Sequence, residues 1–188
     1  MSTEFRKLKR QDTYEFKRWG KHEDPRFFQY NFPYTRKEEF DAWYFTKQRL
    51  IVRKVYGLFI DDYPIGFITL KHINWFKKTA ELGVAIDPNR VGQGYGTELI
   101  KQYLDYVFEH YPIDTMRLKV AHFNHRAQKS YEKVGFQKVK EVVEPFEEQS
   151  FKEIVKEKYP DQFDMIGGEL YTTFYVMEIR KNQMQRQS

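Results

Sequence analysis

AELGVAIDPNRVGQGYGTELI, residues Ala80 to Ile100, runs from a strand through closely spaced glycines into a helix. Ala80 to Ile86 is an apolar strand-like run, and Asp87-Pro88 ends it. From Gly96 to His110, Leu99, Ile100, Tyr103, Leu104, Val107 and Phe108 recur at the spacing of one helical face. The first amides of such a helix have no carbonyl within it to bond, so the turn Val91-Gly92-Gln93-Gly94-Tyr95-Gly96-Thr97 is a ready anion site. Side chains at Gly92, Gly94 and Gly96 would hold a phosphate away from the backbone, which gives their alternation a steric reason. A plain tight turn between strand and helix would use the same glycines, so their surroundings must decide.

Two familiar phosphate-binding patterns fit badly. A P-loop needs Lys and Ser/Thr directly after its glycines, whereas Gly96 is followed by Thr97 and Glu98. A dinucleotide-binding fold places its last glycine one position later and usually on the first strand, whereas this run lies mid-chain behind an antiparallel hairpin. That hairpin is expected from IVRKVYGLFI and PIGFITLKHI, joined at Asp61-Asp62-Tyr63-Pro64. Upstream, EFRKLK alternates as a strand and QDTYEFKRWGKHE as a helix; an aromatic loop broken by Pro25 and Pro33 leads to a second helix from about Thr35. Downstream, MRLKVAHF, FQKVKEVV and ELYTTFYVMEIRK are strands, and HRAQKSYEKVG is a short helix closed by Gly135. Residues 145–168 form an insertion whose helix ends near Tyr159-Pro160, fit for a lid or a dimer element. The expected organisation is one domain over residues 1–180 and a loose tail over 181–188.

Composition leads to the expectation of a cytoplasmic protein. Cysteine is absent, which removes disulfides, thiolate metal ligands and a thiol nucleophile together. No leader or membrane-length apolar run is visible. Lys and Arg number 32 against 27 Asp and Glu, but the bases are scattered and the segment Glu141 to Glu169 is acidic, so no nucleic-acid partner is expected. Phosphate on a small cofactor explains the surplus equally well. The five histidines, His22, His72, His110, His122 and His125, form no ligand set, and no metal is expected.

The stretch Ala80 to Ile100, followed by LKVAHFNHRAQKSYEKVGF, resembles the GCN5-related N-acetyltransferases. Gly94 and Gly96 match the small positions of that family's first motif, and Asn124, Tyr131, Gly135 and Phe136 match its distal motif; the agreement runs from about Ala80 to Val139. Val91 departs from the pattern, standing where Gln or Arg is usual, with Arg90 just before it. The resemblance implies an α/β fold: a mostly antiparallel seven-stranded sheet with a splayed central parallel pair, about four core helices, and the helical insertion before the last strand. It implies acetyl-CoA as co-substrate, with its pyrophosphate on the backbone from Val91 to Thr97. It further implies that backbone at Val84, Ala85 and Ile86, where the central strand splays from Arg117 to His122, orients the pantetheine and thioester.

Transfer from a thioester to an amine needs a neutral nucleophile, a polarised carbonyl and a proton for the departing thiolate. No Gly-x-Ser-x-Gly or cysteine offers an acyl-enzyme nucleophile, so direct attack in a ternary complex follows. By resemblance Tyr131 is the proton donor, although Ala127, Tyr131 and Val134 also share a core-like helical face. Asn124 is an N-cap by position and a pantetheine contact by resemblance. Arg126 and Lys129 could pair with cofactor phosphates or be merely solvated. Glu81 is the leading carboxylate for the base, with a solvated strand end as its plainer role.

For the acceptor the residues speak less specifically. Phe27, Phe28, Tyr30, Phe32 and Tyr34 suit an alkyl-amine stem or a peptide N-terminus, and the acidic 141–169 segment suits a polycation such as a polyamine or aminoglycoside. A homodimer is compatible with the insertion. A non-catalytic coenzyme A-binding module and a nucleotide-binding protein stand as alternatives.

Overall fold

In the computed structural model, which describes residues 3–48 and 55–184, the strands are β1 (Glu4–Lys7), β2 (Val55–Ile60), β3 (Tyr63–Asn74), β4 (Thr79–Ile86), β5 (Thr115–Ala121), β6 (Gln137–Pro145), β7 (Asp164–Ile166) and β8 (Glu169–Arg180). The helices are α1 (Lys37–Gln48), α2 (Tyr95–His110), α3 (His125–Val134), α4 (Lys152–Lys158) and α5 (Lys181–Met184). Ile51 to Lys54, expected to open the second strand, and Gln185 to Ser188 of the expected tail lie outside the described residues. The tail's first residues, Lys181–Met184, form α5.

The strands join in one sheet of order β1-β2-β3-β4-β5-β8-β6, with β7 added beside β8. It therefore has eight strands where seven were expected. The extra one lies in the insertion, where Gly167 and Gly168, at φ 58° and 85°, make a two-residue hairpin turn from β7 into β8. The first expected helix is a 3-10 segment, Arg10–Arg18, and the aromatic loop contains another, Pro25–Tyr30, started by Asp24 accepting the Arg26 amide.

β4 and β5 form the only parallel pair among the described strands, and their pairing stops after Thr79↔Thr115, Ala80↔Met116 and Glu81↔Arg117. From Leu82 onward β4 keeps β3 on one edge and has no strand on the other. The sheet is thus wedged open from Leu82 to Ile86, as the family resemblance implied.

α2 holds this geometry by burying Leu99, Ile100, Tyr103, Leu104, Val107 and Phe108 against Leu58, Ile68, Leu70, Leu82 and Met116 of the sheet. Burial of one such side chain contributes about 1.5–3 kcal/mol, so the apolar stripe and not helix propensity sets where α2 lies. The opposite face carries an aromatic cluster of Phe16, Trp19, Phe40, Phe59 and Phe67. A third cluster, Phe123, Phe146, Val155, Phe163 and Leu170, packs the insertion onto β8 and the turn after β5. The insertion is therefore anchored by its own core, and Arg26 ties it to the N-terminal part through Gln162 at 2.8 Å and the Tyr159 ring at 3.8 Å.

Candidate active site

Asp87 fixes the chain where β4 leaves the sheet. It is buried, and its Oδ1 accepts the amides of Gly20 at 2.9 Å and Asn89 at 3.0 Å. Trp19, beside Gly20, donates from Nε1 to the Pro64 carbonyl at 2.8 Å. One carboxylate thus joins the end of β4, the turn Pro88–Arg90 and the N-terminal segment. Sequence reasoning saw Asp87 only as a strand terminator, because its partner Gly20 lies 67 residues away.

Beyond that anchor Gly92 and Gly94 adopt φ 83° and 90°, in the left-handed region that glycine enters without steric cost. A Cβ at either would meet nothing within 4 Å, so conformation and the space left for a ligand, not crowding, select glycine there. Gly96 has ordinary backbone angles, and a Cβ on it would stand 3.5 Å from Ile86. The first hydrogen bond of α2 runs from the Glu98 amide to the Gly94 carbonyl at 3.1 Å, which leaves the preceding amides of the turn unused by the helix.

These elements border a cleft of about 500 Å³, within the usual range for a small ligand. Val84, Ala85 and Ile86 form one wall, Val91, Gly92, Gly94, Gly96 and Thr97 the floor, and Asn124, Arg126, Lys129 and Tyr131 the other wall. Twelve of the expected cofactor and catalytic residues are thereby gathered in one place. Three are not: Glu81 lines a neighbouring cavity, Gln93 folds back with its Nε2 donating to the Asn89 carbonyl at 3.2 Å, and Tyr95 packs against the main core. The backbones of Gln93 and Tyr95 remain in the turn, but their side chains do not line the cleft.

The cleft is uniformly basic. Arg90, Arg126, Lys129 and Lys133 line it without any carboxylate. Arg90 and Lys133 add to the charge expected from Arg126 and Lys129. His22 also faces it; burial first, and then the Arg126 charge, hold its imidazole below the ordinary value and keep it neutral near pH 7.

Asn124 caps α3, its Oδ1 accepting the Ala127 amide at 3.2 Å, and its residue still borders the cleft. Cap and ligand contact are thus compatible. Tyr131 is buried, with its ring edge-on to Phe136 at 6.0 Å. Burial pushes its hydroxyl well above the ordinary phenol value, so the group stays protonated and available to donate.

A second cavity of about 260 Å³ adjoins the first, and Phe27, Tyr30, Val84, Asn124 and Tyr131 border both. Glu81 lies in this second cavity with Gln29, Lys71, His72, Lys119, Glu144 and Glu147. Lys119 is taken by Glu144 at 2.6 Å, and Lys71 stands 3.8 Å from Glu81. Glu147 has no ion pair among the described residues. Gln29 Oε1 is buried there with no hydrogen-bond donor, an acceptor awaiting an N–H or O–H. Of the five loop aromatics, Phe27 and Tyr30 reach the cavities; Phe28 meets Phe151, while Phe32 and Tyr34 join the Phe16 cluster. Gln29, Glu147 and His72 were missed, since no local pattern marks a residue whose neighbours come from four separate strands and loops.

A splayed parallel pair, a glycine turn at a helix N-terminus and a buried tyrosine where two cavities meet define an acetyltransferase-type fold. The chain belongs to the GNAT acetyltransferase family: the model of the family described as Acetyltransferase (GNAT) domain matches residues 3–137. Among curated proteins, spermidine N(1)-acetyltransferase of Vibrio cholerae serotype O1 is 35% identical over 82 residues, which is 44% of this chain and 47% of that relative. The match therefore spans about half the length of the relative. Among solved structures, a spermidine N-acetyltransferase from Vibrio cholerae in complex with CoA and spermine superposes with a TM-score of 0.70 at 23% identity, covering 97% of this chain and 98% of that one. A dodecameric structure of the Vibrio cholerae enzyme in an intermediate state superposes with a TM-score of 0.68 at 22% identity, over 99% and 98% of the two chains. Among the described residues no helix is long and apolar enough to cross a membrane.

Proposed function

We propose that this chain is an acetyl-CoA-dependent N-acetyltransferase whose acceptor is a small polycationic amine of the polyamine class. The observation that carries the reading is the pair of adjoining cavities of different polarity that meet at Tyr131: one basic and floored by the glycine turn, the other bearing Glu81, Glu144 and Glu147 against Lys71 and Lys119, with the unpaired Gln29 oxygen. The basic cleft fits a phosphate-bearing acyl carrier. Backbone amides of the turn from Val91 to Thr97 hold the pyrophosphate, and Arg90, Arg126, Lys129 and Lys133 add charge around it. The free edge of β4 from Val84 to Ile86 orients the pantetheine and the thioester carbonyl. Acetyl-CoA supplies the acetyl group as a thioester already activated for attack.

The acceptor enters from the acidic side. Its ammonium loses a proton toward the Glu81 side of the pocket, and the neutral amine attacks the thioester carbon. The N–C bond forms, the C–S bond breaks with its electron pair on sulfur, and Tyr131 gives a proton to the thiolate. The new amide nitrogen sheds its second proton, which restores Tyr131, so one proton in all is released to solvent. A polycation is favoured over a single amine because Gln29 and Glu147 offer further acceptors along the same cavity. Relatives that act on spermidine or spermine agree with this choice.

Thiol release from acetyl-CoA, measured over spermidine, spermine, an aminoglycoside and an N-terminal peptide, tests the acceptor. Turnover highest with the polyamines is expected. Preference for the peptide would overturn the polycation reading, and tight acetyl-CoA binding with no turnover on any amine would point to a regulatory coenzyme A-binding module.

A further inference from the structure

Between Lys71 and Asn74 the register of β3 on β4 slips. Lys71 faces Glu81 and Asn74 faces Thr79, so His72 and Ile73 share the single residue Ala80 as their opposite. His72 absorbs the slip with φ 47°, in the left-handed region that non-glycine residues rarely enter. Strained bulge residues of this kind concentrate where a side chain must be re-aimed. Here the bulge turns an imidazole onto the wall of the acceptor cavity, in the cavity that Tyr131 also borders.

We propose that His72 is the base that takes the proton from the acceptor ammonium and that Glu81 positions it; this rests on the acetyl-transfer reading above. Both oxygens of Glu81 are engaged, Oε1 lying 3.8 Å from Lys71 Nζ and Oε2 3.1 Å from His72 Nδ1. Neither oxygen of Glu81 is therefore left without a neighbouring partner, whereas the imidazole keeps one nitrogen open. An imidazole donating from Nδ1 to that carboxylate is held in the tautomer whose Nε2 carries a lone pair, and the carboxylate then stabilises the imidazolium that forms. Nε2 of His72 has no partner among the described residues, and the side chain is 68% exposed, so the proton can pass on to water.

The charged and titratable groups that line this cavity with the ring are Lys71 from its own strand, Glu81 from β4, Lys119 from β5, Glu144 and Glu147 around the end of β6, Tyr131 from α3 and Tyr30 from the N-terminal aromatic segment. Lys119 is neutralised by Glu144 at 2.6 Å. The acid and the base of the reaction thus stand on different walls of one cavity, Tyr131 toward the thioester and His72 toward the incoming amine.

The test uses the full chain with acetyl-CoA and spermidine. His72→Asn and His72→Gly suit the left-handed backbone, since asparagine and glycine enter it most readily. Each is expected to lower kcat on the order of 10²-fold while leaving KM for spermidine and the affinity for acetyl-CoA within about 3-fold, the signature of a lost base. Added imidazole should restore turnover to His72→Gly, because it can occupy the vacated space, and the acid limb of the pH profile should move with the added base. Glu81→Gln keeps an oxygen to accept the Nδ1–H and should cost about 10-fold or less. The proposal is overturned if His72→Asn and His72→Gly keep wild-type kcat; a 10²-fold loss in Glu81→Gln beside them would make Glu81 the direct base. It is equally overturned if both His72 variants are slow but imidazole rescues neither, which would leave the ring a structural role. A wild-type chain that binds acetyl-CoA yet transfers nothing to any amine would instead remove the acetyl-transfer reading, an outcome visible before any variant is made.

Discussion

Replacement of Tyr131 by Phe is expected to lower kcat for acetyl transfer by ~10²–10³-fold with the Kd for acetyl-CoA changed by less than about 3-fold. The ring is buried and packs on Phe136, so Phe fills the same space and the fold should persist. No hydrogen bond holds the hydroxyl to another described residue, hence little structure is lost with it. What disappears is the proton for sulfur. Burial keeps this hydroxyl protonated well beyond the ordinary phenol range, so the wild-type rate should show no alkaline fall below about pH 10 from this group. A phenol is ordinarily a weaker acid than a thiol, so the transfer from oxygen to sulfur has to be coupled to cleavage of the C–S bond, as charge develops on the leaving group. Stopped-flow thiol release beside equilibrium binding separates the two parameters. A Tyr131→Phe enzyme that turns over at the wild-type rate would return the side chain to the packing role that its helical face alone suggests.

Gly94→Val is expected to weaken acetyl-CoA binding by at least ~30-fold, about 2 kcal/mol, while the rest of the sheet and α2 stay folded. At φ 90° a β-branched residue is strained by roughly 1–3 kcal/mol, and the turn relieves that strain only by rotating the amides it presents. No described atom lies within 4 Å of the added Cβ, so the loss would fall on the ligand and not on the core. Gly96→Ala is the matching control. Its backbone angles suit alanine and its Cβ would make an ordinary 3.5 Å contact with Ile86, so stability should hold, and any fall in affinity reports how near the ligand comes. Equal binding by Gly94→Val and the wild type would mean that the cofactor is not held by this turn.

The difference between what local sequence revealed and what it hid follows from contact range. The strand, glycine turn and α2 were legible because each depends on neighbours a few residues away: the stripe from Leu99 to Phe108, the αL positions at Gly92 and Gly94, and the cap at Gly135. The splay of β4 from β5 was legible only through family resemblance, since no residue between Leu82 and Ile86 announces a missing partner. Asp87 shows the opposite case: its burial and its bond to Gly20 arise from segments far apart in the chain. β7 was within reach, because Met-Ile-Gly-Gly-Glu-Leu is a glycine pair between strand-like residues, but three residues are too few for periodicity to register. His72 was hidden because alternation in PIGFITLKHI treats it as an ordinary exposed strand position. Only the register slip before Asn74 reveals the bulge. For the same reason, the basic and acidic cavities were not separable in advance: Arg90, Arg126 and Lys133 gather only when α3 is laid beside the glycine turn.

The central claim is that the glycine turn and its basic cleft hold an acyl-CoA rather than a nucleotide. Calorimetric titration of the full chain with acetyl-CoA, ATP and NAD under one set of conditions tests it most directly. The account predicts saturable acetyl-CoA binding at least ~100-fold tighter than that of either nucleotide, about 2.7 kcal/mol. Binding of ATP or NAD with no acetyl-CoA binding would contradict it.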